Sequence, residues 1–311
     1  MNPKPTVSFI VVSFNTEKLL RECLRSIETY EPEAETIVVD NQSKDGSVAM
    51  VRDEFPRAKL ILSSENGGFA WANNLGIEAS ASDYVVLFNS DAYLEDDSVS
   101  RCVAWLEAHP EFGAVSPLLY GVDGELQECF YILPSFVEYL RISLRRPHTV
   151  ITDDEADNAW LVGAAVVVRR TALKSIGDRL DDGYFMYWED TDLSIRLRRA
   201  GWRISRRSDC HVRHYGGGSG GGDNLDRPPL LQSWWVYGRY RWFARWRPPY
   251  ETLAQMLLDV VNILRTFLRG LIKPDRPRHW RQARIAAAML ARAVVRRPPY
   301  RPGGSPRRAA S

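Results

Sequence analysis

Residues 6–40, "TVSFIVVSFNTEKLLRECLRSIETYEPEAETIVVD", decide the fold. The run "TVSFIVVSF" is apolar and rich in β-branched residues, as a strand covered on both faces reads. Leu19, Leu20, Cys23, Leu24 and Ile27 then recur at helical spacing, and "ETIVVD" is a second buried strand. Strand–helix–strand at this pitch predicts an α/β fold. Its sheet is expected to be largely parallel and covered on both faces, with ligands at the carboxyl ends of the strands. "KLILSS" (59–64), "DYVVLFN" (83–89), "FGAVSP" (112–117) and "WLVGAAVVVRR" (160–170) continue the series.

The chain has 311 residues, 45% of them apolar, enough to bury a full core. Cys23, Cys102, Cys129 and Cys210 are scattered, with no C-x-x-C pair. That points to a reduced, cytosolic chain and away from a cysteine-type zinc site. The first apolar run is too short for a signal peptide and reads as a strand. Charge is unevenly divided. Residues 227–311 hold 18 Lys and Arg against 3 Asp and Glu, whereas residues 1–226 hold 23 against 36. Half of the ten tryptophans lie in the basic part. The expected division is a catalytic unit over 1–226, a basic, aromatic-rich helical extension over 227–299, and a disordered tail over 300–311.

Within the first unit, residues 121–158 are polar, broken by Pro134 and Pro147, and read as an excursion over the site. The glycine tract "YGGGSGGGDN" (215–224) reads as a flexible closure. In the second unit, Leu253, Met256, Leu257, Val260, Ile263, Leu264, Phe267, Leu268 and Leu271 form a helical stripe, and Arg265 and Arg269 argue against a membrane span. "SWWVYGRYRWFARWR" (233–247) suits a bilayer interface, packing on the first unit, or stacking on single-stranded nucleic acid, in that order of preference.

Three stretches carry chemistry. In "TIVVDNQSKDGS" (36–47), Asp40 ends a strand, with Asn41 beside it. An acid there accepts hydrogen bonds from a nucleotide's base or ribose, or else simply caps the next helix. The first strand leads into "SFNTEKLL" (13–20), with no G-x-G-x-x-G there to receive a dinucleotide's pyrophosphate. In "NGGFAWANNLGIEASASDYVVLFNSDAYL" (66–94), Asn66, Gly67 and Gly68 make a turn that lets backbone approach a ligand. The next strand delivers Asn89, Ser90 and Asp91, a setting for a hard divalent cation or a plain polar loop. In "YFMYWEDTDLSIRLRRAGW" (184–202), Glu189, Asp190 and Asp192 crowd a helix start.

"VSFIVVSFN", "VVDNQSKDGS", "NGGFAWANNLG", "LFNSDA", "WLVGAAVVVRR", "YFMYWEDTDLSIRLRRAGW" and "HYGGGS" follow one another as in family 2 glycosyltransferases. Over residues 6 to about 219 the chain resembles the bacterial rhamnosyltransferase-like branch. The resemblance implies a GT-A fold, an inverting transfer from a dTDP- or UDP-sugar (rhamnose from dTDP-rhamnose foremost) and a divalent metal, Mn²⁺ or Mg²⁺. By position it implies that Asp40 contacts the base and that Asn66 and Asn74 line the nucleotide pocket, with Asn41, Gly68 and Asn89 also on the donor. It gives Asp91 and His214 to the metal and Asp190 to catalysis as the base. Trp188 and Glu189 are expected near the acceptor.

Two departures stand out. Asn89 opens the triplet where an Asp is usual, which leaves the metal fewer carboxylates, and Ala72 replaces a frequent glycine. The acceptor implied is a polyprenyl-diphosphate-linked glycan, met at the anionic inner face of the plasma membrane. The alternatives are an inactive nucleotide-sugar-binding scaffold and a nucleotidyltransferase.

Overall fold

The computed structural model describes residues 5–144, 151, 153–216, 229–272 and 276–295. Residues 217–224 of the expected closure over 215–224, and the tail over 300–311, lie outside the described residues. The first half runs β1 (Val7–Ser13), α1 (Glu17–Tyr30), β2 (Glu35–Asp40), α2 (Ser47–Glu54), β3 (Lys59–Leu62), α3 (Phe69–Ala79), β4 (Tyr84–Asn89), β5 (Ala92–Tyr93) and α4 (Ser98–Ala108). There follow β6 (Phe112–Tyr120), β7 (Leu126–Gln127), β8 (Phe130–Ile132), α5 (Phe136–Ser143), β9 (Ala159–Leu161), β10 (Ala165–Arg169), α6 (Arg170–Ser175), α7 (Glu189–Arg199) and β11 (Arg203–His214). Three helices close the series: α8 (Pro229–Trp246), α9 (Pro249–Ile272) and α10 (Arg276–Val294).

The main sheet has the order β3-β2-β1-β4-β10-β6-β11-β5, with β7 added to β6. β3, β2, β1 and β4 are parallel, as the opening stretch predicts. β10 runs antiparallel between β4 and β6, so the sheet is mixed beyond β4. The reason lies in "WLVGAAVVVRR", which is not one strand. β9 pairs with β8 in a separate two-stranded sheet, and the chain turns over residues 162–164 before β10 starts. Because β10 begins beside the carboxyl end of β4, it must run backwards along it.

Alternation within the strands divides the core. Phe9, Val11, Val38, Val86 and Phe88 face α1, α2 and α4, through Leu20, Leu24, Ile27, Met50, Val51, Val99, Cys102 and Leu106. Ile10, Ile37, Val39, Val85 and Leu87 face α3, α6 and α7, through Ala70, Ile77, Leu173, Leu193 and Leu197. Period-two side chains on strands buried from both sides produce this double layer.

A third cluster joins α8 to the segment that leads into and forms α7. Tyr184, Trp188 and Ile195 pack with Trp242 and Phe243 of α8. Trp234 is also buried, stacked on Phe185 at 4.7 Å between centroids. Arg241 and Arg245 meet Asp181. The aromatics of 233–247, expected at a bilayer, are thus mostly interior, and α8 is docked rather than tethered. Among the described residues no helix is long and apolar enough to cross a membrane.

Candidate active site

The carboxyl ends of β2 and β4 carry the first groups. Asp40 is buried; its Oδ2 accepts from the Ser43 N–H at 3.0 Å, while Oδ1 is buried with no hydrogen-bond partner among the described residues. A buried carboxylate oxygen left unmatched is costly unless a ligand donor meets it. Asn41 fastens the neighbouring turn. Its Nδ2 donates to Asn66 Oδ1 (2.9 Å) and to the Gly68 carbonyl (3.3 Å), and its Oδ1 accepts from the Gly67 N–H (3.1 Å). Gly68 has φ +92°, and a Cβ there would lie 2.1 Å from the Phe185 carbonyl oxygen, so only glycine fits. Asn74 is engaged elsewhere, its amide clasping the Leu180 backbone at both ends, at 3.0 and 2.8 Å.

After β4, Asn89 is half-buried and Ser90 and Asp91 are buried. β11 brings His214 across to them. His214 Nε2 lies 3.4 Å from Asp91 Oδ1 and 3.3 Å from Asn89 Nδ2. Its Nδ1 lies 2.8 Å from Gln127 Oε1, and Gln127 Nε2 donates to the His214 carbonyl at 2.9 Å. With Gln127 Oε1 placed to take an Nδ1 proton, Nε2 is the ring nitrogen that faces Asp91 and Asn89.

Asp190 occupies the first turn of α7. Its Oδ2 accepts from the Gly163 N–H (3.1 Å) and its Oδ1 from the Thr191 N–H (2.7 Å). The next carbonyl along the 162–164 turn, that of Ala164, accepts from the Asn89 N–H at 2.9 Å. One short turn therefore ties the Asp190 carboxylate to the Asn89–Asp91 loop. Just before α7, Tyr187 and Trp188 have φ of 70° and 77°, two successive non-glycine residues in the left-handed region. That backbone is strained, and the packing of α8 holds it.

A family model for glycosyl transferase family 2 matches residues 8–160. The chain is 27% identical over 248 residues to the N-acetylglucosaminyl-diphospho-decaprenol L-rhamnosyltransferase of Mycobacterium tuberculosis (strain CDC 1551 / Oshkosh), covering 72% of this chain and 80% of that one. It is 23% identical over 256 residues to rhamnosyltransferase WbbL of Escherichia coli (strain K12), covering 78% and 94%. The chain belongs to glycosyltransferase family 2, in its rhamnosyltransferase-like branch.

The fold of this family 2 glycosyltransferase is also that of the mannosyltransferase PcManGT from Pyrobaculum calidifontis, solved with GDP-Man and Mn²⁺. The TM-score is 0.57 at 18% identity, over 95% of this chain and 88% of that one. TarS of S. aureus, residues 1–349 with UDP, gives a TM-score of 0.53 at 17% identity, over 94% and 88%. Both are GT-A enzymes in architecture, as the sequence predicts.

In this glycosyltransferase the three crowded acids differ. Burial raises the pKa of Asp190, and its backbone hydrogen bonds oppose that shift. Burial also raises Glu189, well above the usual range, and the neighbouring negative charge of Asp190 adds to it; Glu189 Oε2 has no hydrogen-bond partner among the described residues. Asp192, fully buried, is raised by burial and held back by the indole N–H of Trp246 and by Arg245. Trp188, expected beside an acceptor, is enclosed instead. Its ring lies 5.8 Å from those of Trp235 and Trp242, and a Cβ on Gly238 would meet it at 2.8 Å.

Among the described residues no group of three His, Cys, Asp or Glu gathers to hold an ion. The donors present are one carboxylate, Asp91, and one imidazole nitrogen, His214 Nε2. They fit a divalent cation that completes its shell from a diphosphate. Gln127 and Gly163 escape sequence reasoning. Gln127 sits in a polar excursion and Gly163 inside a run that reads as a strand, and neither has a local signature.

Proposed function

We propose that this glycosyltransferase moves rhamnose from dTDP-rhamnose, with inversion, to a hydroxyl of a polyprenyl-diphosphate-linked glycan. The work belongs to cell-surface polysaccharide synthesis at the inner face of the plasma membrane. The names of the two rhamnosyltransferase relatives support the donor sugar, and that of the mycobacterial one supports the class of acceptor. One observation carries the chemistry: a single turn holds Asp190 by the Gly163 N–H and the Asn89 loop by the Ala164 carbonyl.

Asp190 accepts the proton of the attacking hydroxyl as its oxygen bonds to the anomeric carbon. The bond from that carbon to the diphosphate oxygen breaks at the same time, and the diphosphate departs with the electron pair. Attack opposite the leaving group inverts the centre, and one carboxylate suffices because the leaving group needs no proton. A divalent cation, when bound, supplies positive charge to the departing diphosphate. Asp91 and His214 would hold it, and Gln127 keeps the His214 nitrogen correctly turned. Asp40 Oδ1 takes a donor from the base or ribose, while Asn41, Asn66 and Gly68 keep the intervening turn in shape.

The test is a panel of nucleotide sugars with a polyprenyl-diphosphate-linked acceptor, with and without Mn²⁺ or Mg²⁺. The anomeric configuration of the product is read by NMR. Transfer of rhamnose with inversion and loss of transfer in Asp190→Asn, with donor binding kept, is the expected result. Retained configuration, or full transfer by Asp190→Asn, overturns the mechanism.

A further inference from the structure

Helix α9 carries polar groups on the side that meets α8 and α5, with Met256, Leu258 and Ile263 half-buried beside them. Gln255 is buried and donates to Asp259 Oδ1 at 3.2 Å, Asp259 also takes hydrogen bonds from Arg239 and Tyr240 of α8, and Asn262 Oδ1 accepts from Ser143 at the end of α5 at 3.0 Å. Its outward side is apolar. Leu253, Leu257, Leu264, Phe267, Leu268 and Leu271 are between 46% and 65% exposed. Their spacing of three, four and seven residues places them on one stripe along the 24-residue helix. A helix facing water is polar on its outer side, and a stripe this long marks a contact surface.

The surroundings of the stripe define what covers it. Arg265 and Arg269 are exposed along one edge. Trp280 of α10 stacks on Phe267, with 6.0 Å between ring centroids, and Arg281 and Arg284 beside it are exposed. We propose that the outer face of α9, with Trp280, lies in the plane of an anionic bilayer. The leucines and Phe267 enter the acyl boundary, and the arginines meet headgroup phosphates. Apolar stripe, flanking arginines and an indole at the rim are the features an interfacial helix requires. A second copy of the chain fits poorly. Self-pairing would set two segments, each with 18 basic against 3 acidic residues, against one another.

This partner deepens the proposed function and rests on it, since it sets the site beside a lipid-linked acceptor, but its test needs neither donor nor acceptor. Full-length protein is floated with phosphatidylcholine vesicles, with and without phosphatidylglycerol. Binding to the anionic vesicles only is expected, and Leu257→Glu with Leu264→Glu should weaken it at least about tenfold. Both side chains are exposed, so the thermal transition should be unchanged. Arg265→Ala with Arg269→Ala, an independent variant, should reduce the preference for anionic vesicles. Absence of vesicle binding by the parent, or equal binding by the glutamate variant, overturns the proposal. A dimer in sedimentation that the glutamate variant splits, without vesicle binding, gives the face to a second copy. Failure of rhamnose transfer with vesicle binding intact overturns the sugar assignment and leaves this face standing.

Discussion

The indole N–H of Trp246 donates to Asp192 Oδ1 at 2.7 Å, joining α8 to the first turn of α7 across 54 residues of sequence. Asp192 is fully buried, so the bond holds the helix that carries Asp190 in place. Trp246→Phe keeps most of the packing and removes the donor. Leaving a buried carboxylate short of a partner costs about 1–3 kcal/mol. The variant should melt several degrees lower and lose kcat more than donor affinity, measured by calorimetry and steady-state kinetics.

The pH profile follows from Asp190. The base must be ionised, and burial raises its pKa above the ordinary 3.8. Activity should therefore fall on acidification at a pH above the usual aspartate range, and kcat/KM measured from pH 4 to 8 locates this limb. Asp190→Asn should remove the limb together with the activity. A limb that persists in its residual activity would assign the titration to another group.

Gln127 fixes the ring plane of His214. Gln127→Ala should weaken Mn²⁺-dependent donor binding by about 10- to 100-fold, the usual effect of removing a partner that orients a metal-binding histidine. Titration calorimetry with nucleotide and Mn²⁺ reads this directly. Thermal stability should change little, because Gln127 is half-buried.

Glu189 links stability to pH. Its carboxyl is raised well above its ordinary 4.5, so the folded state holds the proton more tightly than the unfolded chain. The fold is favoured in acid, and that advantage is lost as pH rises through the raised value. In Glu189→Gln the penalty at higher pH is absent. The melting temperature of the variant relative to the parent should rise between pH 5 and pH 8 by at least about 2 °C. No change across that range would mean that Glu189 ionises normally.

The parallel half of the sheet was legible because "FIVV" and "IVVD" obey simple burial periodicity. That Asp40 and Asp91 end strands and Asp190 starts a helix was legible from the same patterning, whereas the roles proposed for them rest on the resemblance to the family. What the sequence hid was set by distant partners. The reversal of β10 depends on where the turn at Val162–Ala164 sits against Asn89. The engagement of Asn74 depends on Leu180, 106 residues away. Trp234 and Trp242 read as surface aromatics because their cover, the 184–195 segment, is remote in sequence. The outward stripe of α9 was visible as a stripe, but its direction was not, since periodicity fixes a face without saying what lies against it.

The Gly163–Ala164 turn also acts as a ruler. Gly163 reaches Asp190 and Ala164 reaches Asn89 with no spare residue between them. Loops elsewhere on such a scaffold can lengthen at small entropic expense. Here a single inserted residue would move one contact off its partner. Length variation among natural or shuffled versions of this chain should therefore be tolerated at the exposed turn 122–125 and excluded from residues 162–164.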